Sequence, residues 1–118
     1  MKNTKKQARR NDCLRLLDTS FRIDINSVRI NSHNLLSHEV AKLILAYNEI
    51  KKGKQVVIEA RFKGGKGIAD ILVIDDFRVL EVLYSESLKK ATKKVAKYPD
   101  CLDIELIDAK DVINSHIK

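Results

Sequence analysis

Two acidic residues stand where an apolar strand pattern calls for core side chains. Asp70 interrupts Ile68-Ala69-Asp70-Ile71-Leu72-Val73-Ile74, and Glu81 interrupts Val79-Leu80-Glu81-Val82-Leu83. A carboxylate among aliphatic neighbours is costly unless a cation or hydrogen-bond donors meet it. Two of them, one on each arm of a hairpin, suggest a site for a hard divalent cation, Mg²⁺ or Mn²⁺, held by oxygen ligands. Such a cation polarises a phosphoryl oxygen and lowers the pKa of an attacking water, which is the chemistry of phosphodiester hydrolysis. A third acid, Glu39 in SHEVAKLI, lies in the first turn of a helical pattern and flanks its apolar stripe. Each acid has a structural alternative. Asp70 can pair with Arg61 across the sheet, Glu81 can form a similar buried ion pair, and Glu39 suits a helix start through the macrodipole alone. Glu59 shares a strand face with Arg61 and is expected to salt-bridge with it or elsewhere on the sheet.

The elements that must position these acids follow from periodicity. Leu36, Val40, Leu43, Ile44, Tyr47 and Ile50 recur at spacings of three and four, which predicts a helix over 35–52 with this stripe inward. Asn34 or Ser37 is the expected cap and Gly53 the terminator. QVVIEARF predicts a strand over 55–62, and Lys63-Gly64-Gly65-Lys66-Gly67 a loop. Strands over 68–75 and 77–84 join at Asp75-Asp76. A lysine-rich helix over 86–97, with Leu88, Ala91 and Val95 inward, stops at Pro99-Asp100. A strand over 101–107 and a short helix over 109–117 close the chain. FRIDINSVRI, 21–30, reads as a strand or hairpin, or else as an irregular lead-in to the following helix. This order predicts an α/β fold with a mixed central sheet of four to five strands flanked by helices. The length, 118 residues, predicts one domain over 1–118, with the basic residues 1–11 as a flexible arm and a helical turn or two starting near Gln7.

The net charge is +7, from 23 Lys+Arg against 16 Asp+Glu, which suits a polyanionic partner, DNA first. Arg9, Arg10, Lys63, Lys66, Lys90, Lys93 and Lys94 are the candidate phosphate contacts. Such contacts are sequence-independent and salt-sensitive. Gly64, Gly65 and Gly67 do not follow a strand-to-helix phosphate fingerprint, so a mononucleotide loop is rejected. His33 and His38 are five apart and share no helical face, so they read as loop or cap histidines. Cys13 and Cys101 fit no metal spacing and no disulfide framework. With no apolar run of spanning length and no hydrophobic core behind the basic N-terminus, the expected location is cytoplasmic, without a membrane partner.

The order of elements, with Glu39 in SHEVAKLI, Asp70 in GIADILV and Glu81 in RVLEVL, resembles the restriction-endonuclease-like core of the PD-(D/E)XK nuclease superfamily. In size and charge it is most similar to the small archaeal Holliday junction resolvases. The resemblance covers residues 35–107. It implies that Glu39, Asp70 and Glu81 are catalytic and hold Mg²⁺ or Mn²⁺, with a backbone carbonyl near Val82 completing the set. It also implies a duplex or branched DNA substrate and a homodimer, whose two sites serve two scissile strands. The departure falls at Leu83, on the same strand face as Glu81, where the family carries a lysine. Lys89 or Lys93 on the next helix, or Lys66 in the loop, is expected to take that role, Lys89 first, with Glu86 as a further polar group. Without such a replacement the domain is a catalytically silent module that binds nucleic acid or a protein. A third reading is a small basic RNA-binding protein whose acids are only salt-bridged.

Overall fold

The computed structural model describes residues 4–83 and 88–116. The periodic segments become α1 (Thr4–Leu14), α2 (Leu36–Lys51), β1 (Val56–Arg61), β2 (Ile68–Val73), β3 (Arg78–Leu83), α3 (Leu88–Val95), β4 (Asp103–Asp108) and α4 (Ala109–His116). Single 3₁₀ turns at Lys63–Gly65 and Ile74–Asp76 join the meander. The sheet runs β1-β2-β3-β4, with β1, β2 and β3 antiparallel and β4 parallel to β3 after the α3 crossover. The result is a compact α/β domain with a four-stranded mixed sheet and four helices among the described residues. No described helix is long and apolar enough to cross a membrane.

Apolar clusters cover both faces of the sheet. Cys13 of α1, Leu17, Val57, Phe62, Leu72, Val79 and Tyr98 pack on one. On the other, Ala46 of α2 meets Val56, Ile58, Ile71, Val73 and Leu80, and Ala41 meets Val82, Ala109 and Val112. α2 is turned in part from its expected orientation, since Ile44 and Ile50 of the expected stripe pack against the core clusters but other members do not. Ala41, Lys42, Ala46 and Glu49 are its buried residues, whereas Leu36, Leu43 and Tyr47 are exposed. Charge pairing overrides the apolar stripe here, because Lys42 and Glu49 find partners on the sheet in Glu59 and Arg78. The expected cap is also replaced. Leu35 starts α2 with no side-chain cap, and the Asn34 amide goes to Glu39 instead. Gly53, at φ 85°, ends the helix as expected.

Two expectations near the N-terminus are corrected. From Thr4 on, the arm is helix α1, docked against the turn between β2 and β3. Arg9 Nε donates to the Asp75 carbonyl (2.7 Å), and Arg10 pairs with the Asp75 carboxylate (3.0 Å) and donates to Gly53 O (3.1 Å). Both guanidiniums therefore have partners within the fold itself. Residues 21–30 form no strand; they are the irregular lead-in, with Phe21, Ile25, Val28 and Ile30 exposed. The lead-in covers the open edge of β1. Leu17 bridges to Phe62, Asp18 N–H donates to Arg61 O (2.9 Å), and Asn26 exchanges two bonds of 2.8 Å with the Val56 backbone. An edge so capped is closed to strand addition along those residues.

Two irregularities of the sheet coincide. In β1, Val57 and Ala60 lie in the same cluster together with their partners Leu72 and Ala69, although strict alternation would put them on opposite faces. The slip falls between the pairs Ile58↔Ile71 and Ala60↔Ala69, at Glu59 and Asp70, and Glu59 adopts a left-handed φ of 56°. That conformation costs a non-glycine residue about 1–3 kcal/mol and persists only where its surroundings hold it. Between β2 and β3 the pairing runs from Val73↔Arg78 to Ile71↔Leu80 and goes no further. The two strands thus fork, and Asp70 and Glu81 sit at the opening.

Candidate functional site: a carboxylate fork between two strands

Where a ladder stops inside a core, backbone amides lose their partners and need others. The side chains of the fork supply them. Asp70 N–H donates to Glu81 Oε1 (3.3 Å), and Val82 N–H donates to Asp70 Oδ2 (2.8 Å). Both acids are deeply enclosed, Asp70 5% and Glu81 1% exposed. The expected Asp70–Arg61 pair does not form; Arg61 lies over the Phe21 ring, 4.2 Å from its centroid. Nor does Glu59 meet Arg61, since it pairs with Lys42 instead.

Glu81 is held from three directions. Its Oε1 takes the Asp70 amide and lies 3.1 Å from the Tyr98 hydroxyl, which is also 2.8 Å from Ile68 O. Its Oε2 accepts from Lys94 Nζ of α3. Burial pushes the Glu81 carboxyl above its ordinary pKa, the Asp70 charge adds to this, and Lys94 opposes both. Tyr98 reaches Glu81 by passing over Gly67, which has φ 105°. A Cβ there would lie 2.7 Å from Tyr98 Cε1, so glycine is required both for the turn and for the ring.

Asp70 is linked to Glu39 through His38. Nδ1 lies 3.1 Å from Glu39 Oε2, while Nε2 lies 3.2 Å from Val82 O and 3.6 Å from Asp70 Oδ2. The Asp70 carboxylate beside its ring raises His38 to about 9, with Glu39 helping and burial opposing. The imidazolium thus stands between the acids at neutral pH. Burial alone would raise Glu39, but the Asn31 amide (2.6 Å), Asn34 (3.1 Å), His38 and Lys42 Nζ (3.2 Å) bring it down to about 2. Lys42, 2% exposed, is shared with Glu59 Oε2 at 3.2 Å, and Asn31 Nδ2 donates to Glu59 Oε1 at 3.2 Å.

These shifts set a pH dependence for the metal-free protein. His38, raised above 6.5, contributes stability that is complete below pH 6.5 and is lost as pH rises through about 9. Glu39, lowered from 4.5, contributes stability that is present above pH 4.5 and is lost as pH falls through about 2. Thermal melts in EDTA should therefore plateau between those limits and fall on either side. In His38→Gln the alkaline fall should vanish; a fall of unchanged size would assign it to another group.

The structure brings Glu39, Asp70 and Glu81 to one locus, in direct contact for the last two and through His38 for the first. It does not bring Lys89 there. Lys89 and Lys93 are exposed on α3 and Lys66 is exposed in its loop, while Lys94 supplies the ammonium at Glu81. Lys94 is thus a site residue rather than only a phosphate contact. Lys63 and Lys90 are exposed as well. Glu86 lies outside the described residues. His38, Lys42 and Tyr98 are site residues that sequence reasoning missed. Lys42 did carry a signal, since a helical face of Glu39, Lys42, Ala46 and Glu49 at spacings of three and four is self-complementary in charge.

For Mg²⁺ or Mn²⁺ the fork offers hard donors of the right kind, the Asp70 and Glu81 carboxylates and the Val82 carbonyl on adjacent strands. Among the described residues no group of three or more His, Cys, Asp and Glu side chains is arranged to hold a metal ion. The fit therefore rests on two carboxylates and one carbonyl; Glu39 has both oxygens engaged, and the Glu81 oxygens, Asp70 Oδ2 and the Val82 carbonyl have protein partners that a cation would have to share or displace. Comparison with known proteins finds no matching family model, no matching curated protein and no matching solved structure.

Proposed function

We propose that the protein is a metal-dependent DNA endonuclease of the PD-(D/E)XK type, acting on duplex or branched DNA such as a Holliday junction. One observation supports the reading: two buried carboxylates stand at the forked end of β2 and β3, and one of them, Glu81, meets a lysine of the next helix, Lys94, in place of the one absent at Leu83. Asp70, Glu81 and the Val82 carbonyl would hold Mg²⁺ or Mn²⁺. When bound, such a cation polarises a phosphoryl oxygen and lowers the pKa of water. Lys94 fixes one Glu81 oxygen and offers its ammonium to the charge that grows on the scissile phosphate. Tyr98 fixes the other oxygen, and His38 keeps Asp70 and Glu39 in place. Lys63, Lys66, Lys90 and Lys93 are proposed to meet the DNA backbone. A homodimer would present two such sites to two strands.

Labelled junction, duplex and single-stranded DNA incubated with Mg²⁺ or Mn²⁺ test this. Cleavage is expected, and Asp70→Asn should abolish it while retaining an acceptor for the Val82 amide, so that the variant still folds. Cleavage of none of the DNAs by the wild type, or unchanged cleavage by the folded variant, would reject the reading.

A second reading is a silent nucleic-acid-binding module. Its support is that the fork acids already satisfy backbone amides, a sufficient structural reason for both. Salt-sensitive DNA binding with no product would favour it.

A further inference from the structure

A cavity of about 360 Å³ opens between the lead-in segment and β1, outside the fork. Its walls include Phe21, Arg22, Arg29 and Arg61, together with Asn31 and the carboxylates Asp18 and Glu59. Arg22 is matched by Asp24 at 2.8 Å, and Glu59 by Lys42. Arg29 and Arg61 form no close ion pair among the described residues; Asp18, also in the wall, feels the Arg61 charge, and the cavity keeps a surplus of guanidiniums over carboxylates. Phe21 is 50% exposed although it is a large apolar ring, and Arg61 stacks on it at 4.2 Å. A flat ring backed by a guanidinium is a stacking platform for another planar group.

The cavity and the fork share a wall. Asn31 donates to Glu39 through its backbone and to Glu59 through its side chain. Ile68 lines the cavity, and its carbonyl accepts from the Tyr98 hydroxyl that also meets Glu81.

We propose that this cavity is a subsite for one unpaired nucleotide of the DNA strand, its base stacked on Phe21 and its phosphate met by Arg29 and Arg61. The volume suits a single nucleotide, and the combination of a planar platform and guanidiniums outside any close ion pair matches a base joined to a phosphate. The inference rests on the nuclease reading and deepens it: the preferred substrate is DNA with an unpaired or single-stranded stretch beside the duplex. Bases paired within a duplex have no face to present to Phe21.

Fluorescence anisotropy in EDTA, where a metal-dependent reaction is silent, measures the preference directly. The probes are a blunt duplex and the same duplex carrying a single-stranded extension. The wild type is expected to bind the extended probe about tenfold more tightly. Phe21→Ala and Arg61→Ala should each remove most of that preference, with melting temperatures near the wild type's because both side chains are exposed. Lys63→Ala should weaken both probes alike. Equal binding of the two probes by the wild type, or a preference retained in both variants, overturns the subsite. A preference that is present and lost in the variants, without cleavage under Mg²⁺ or Mn²⁺, upholds the subsite and rejects the nuclease reading. Failure to bind either probe overturns both.

Discussion

Lys94→Ala is expected to slow phosphodiester cleavage by about 10²–10³-fold, the usual effect of removing one electrostatic donor from a developing charge. Two losses combine in that figure. The ammonium no longer faces the phosphate, and Glu81 loses the larger of the influences that oppose its burial and the Asp70 charge, keeping the Asp70 amide. Its carboxyl then holds its proton to higher pH, which weakens it as a cation ligand. The defect should therefore shrink as pH rises, and the pH–rate profile should move in the alkaline direction. Lys94→Arg keeps the charge and should recover part of the rate. Lys89→Ala should stay within a factor of two or so of the wild type. Single-turnover cleavage at saturating protein, measured across a pH series, separates these outcomes. A Lys94→Ala rate equal to the wild type's would remove the lysine from the proposed chemistry.

The largest effect on stability is expected at a residue with no proposed part in catalysis. Lys42→Met should destabilise the fold by roughly 3–5 kcal/mol, because removing one member of a buried ion group strands the others. Glu39 would keep Asn31, Asn34 and His38, but Glu59 would keep only Asn31 among the described residues. Glu59 also occupies the strained left-handed position in β1, so its loosening reaches the phase slip opposite Asp70. Adding Glu59→Gln to Lys42→Met should recover a good part of the loss, since the stranded charge is then gone. Urea denaturation of the two single variants and the double variant measures the coupling. A Lys42→Met cost below about 1 kcal/mol would mean that the three side chains do not act as a unit.

Much of the architecture was legible because it depends on local pattern. The helix expected over 35–52 appears at Leu36–Lys51, and the strand expected over 55–62 at Val56–Arg61. The lysine-rich helix, the returning strand and the short closing helix fall within a few residues of their expected bounds. Asp70 and Glu81 were legible because an acid inside an aliphatic strand stands out against its neighbours. What misled was the assumption that the whole apolar stripe of α2 must face the sheet; Ile44 and Ile50 of it do pack inward. Glu39, Lys42 and Glu49 have partners on or near the sheet, and pairing them decides the rotation of the helix, leaving Leu36, Leu43 and Tyr47 outside. His38 was read as a loop or cap residue because its partners, Asp70 and the Val82 carbonyl, lie more than thirty positions away along the chain. The fork itself has no sequence signature, since where two strands stop pairing depends on their twist and on what covers them. Lys94 rather than Lys89 meets Glu81 because α3 turns that face, five residues further on, toward β3.

The fork has a consequence for descent. Asp70 and Glu81 serve as stand-ins for the missing rungs of a β-ladder, so selection for a folded chain keeps them whether or not any strand is ever cut. In a lineage that abandoned hydrolysis, these two acids would persist as framework. Lys94 would be the position to drift, for it donates to a carboxylate already engaged by an amide and a tyrosine. On the nuclease reading, the acids would then mark ancestry among descendants of this chain, and the lysine would mark whether the proposed cleavage is kept.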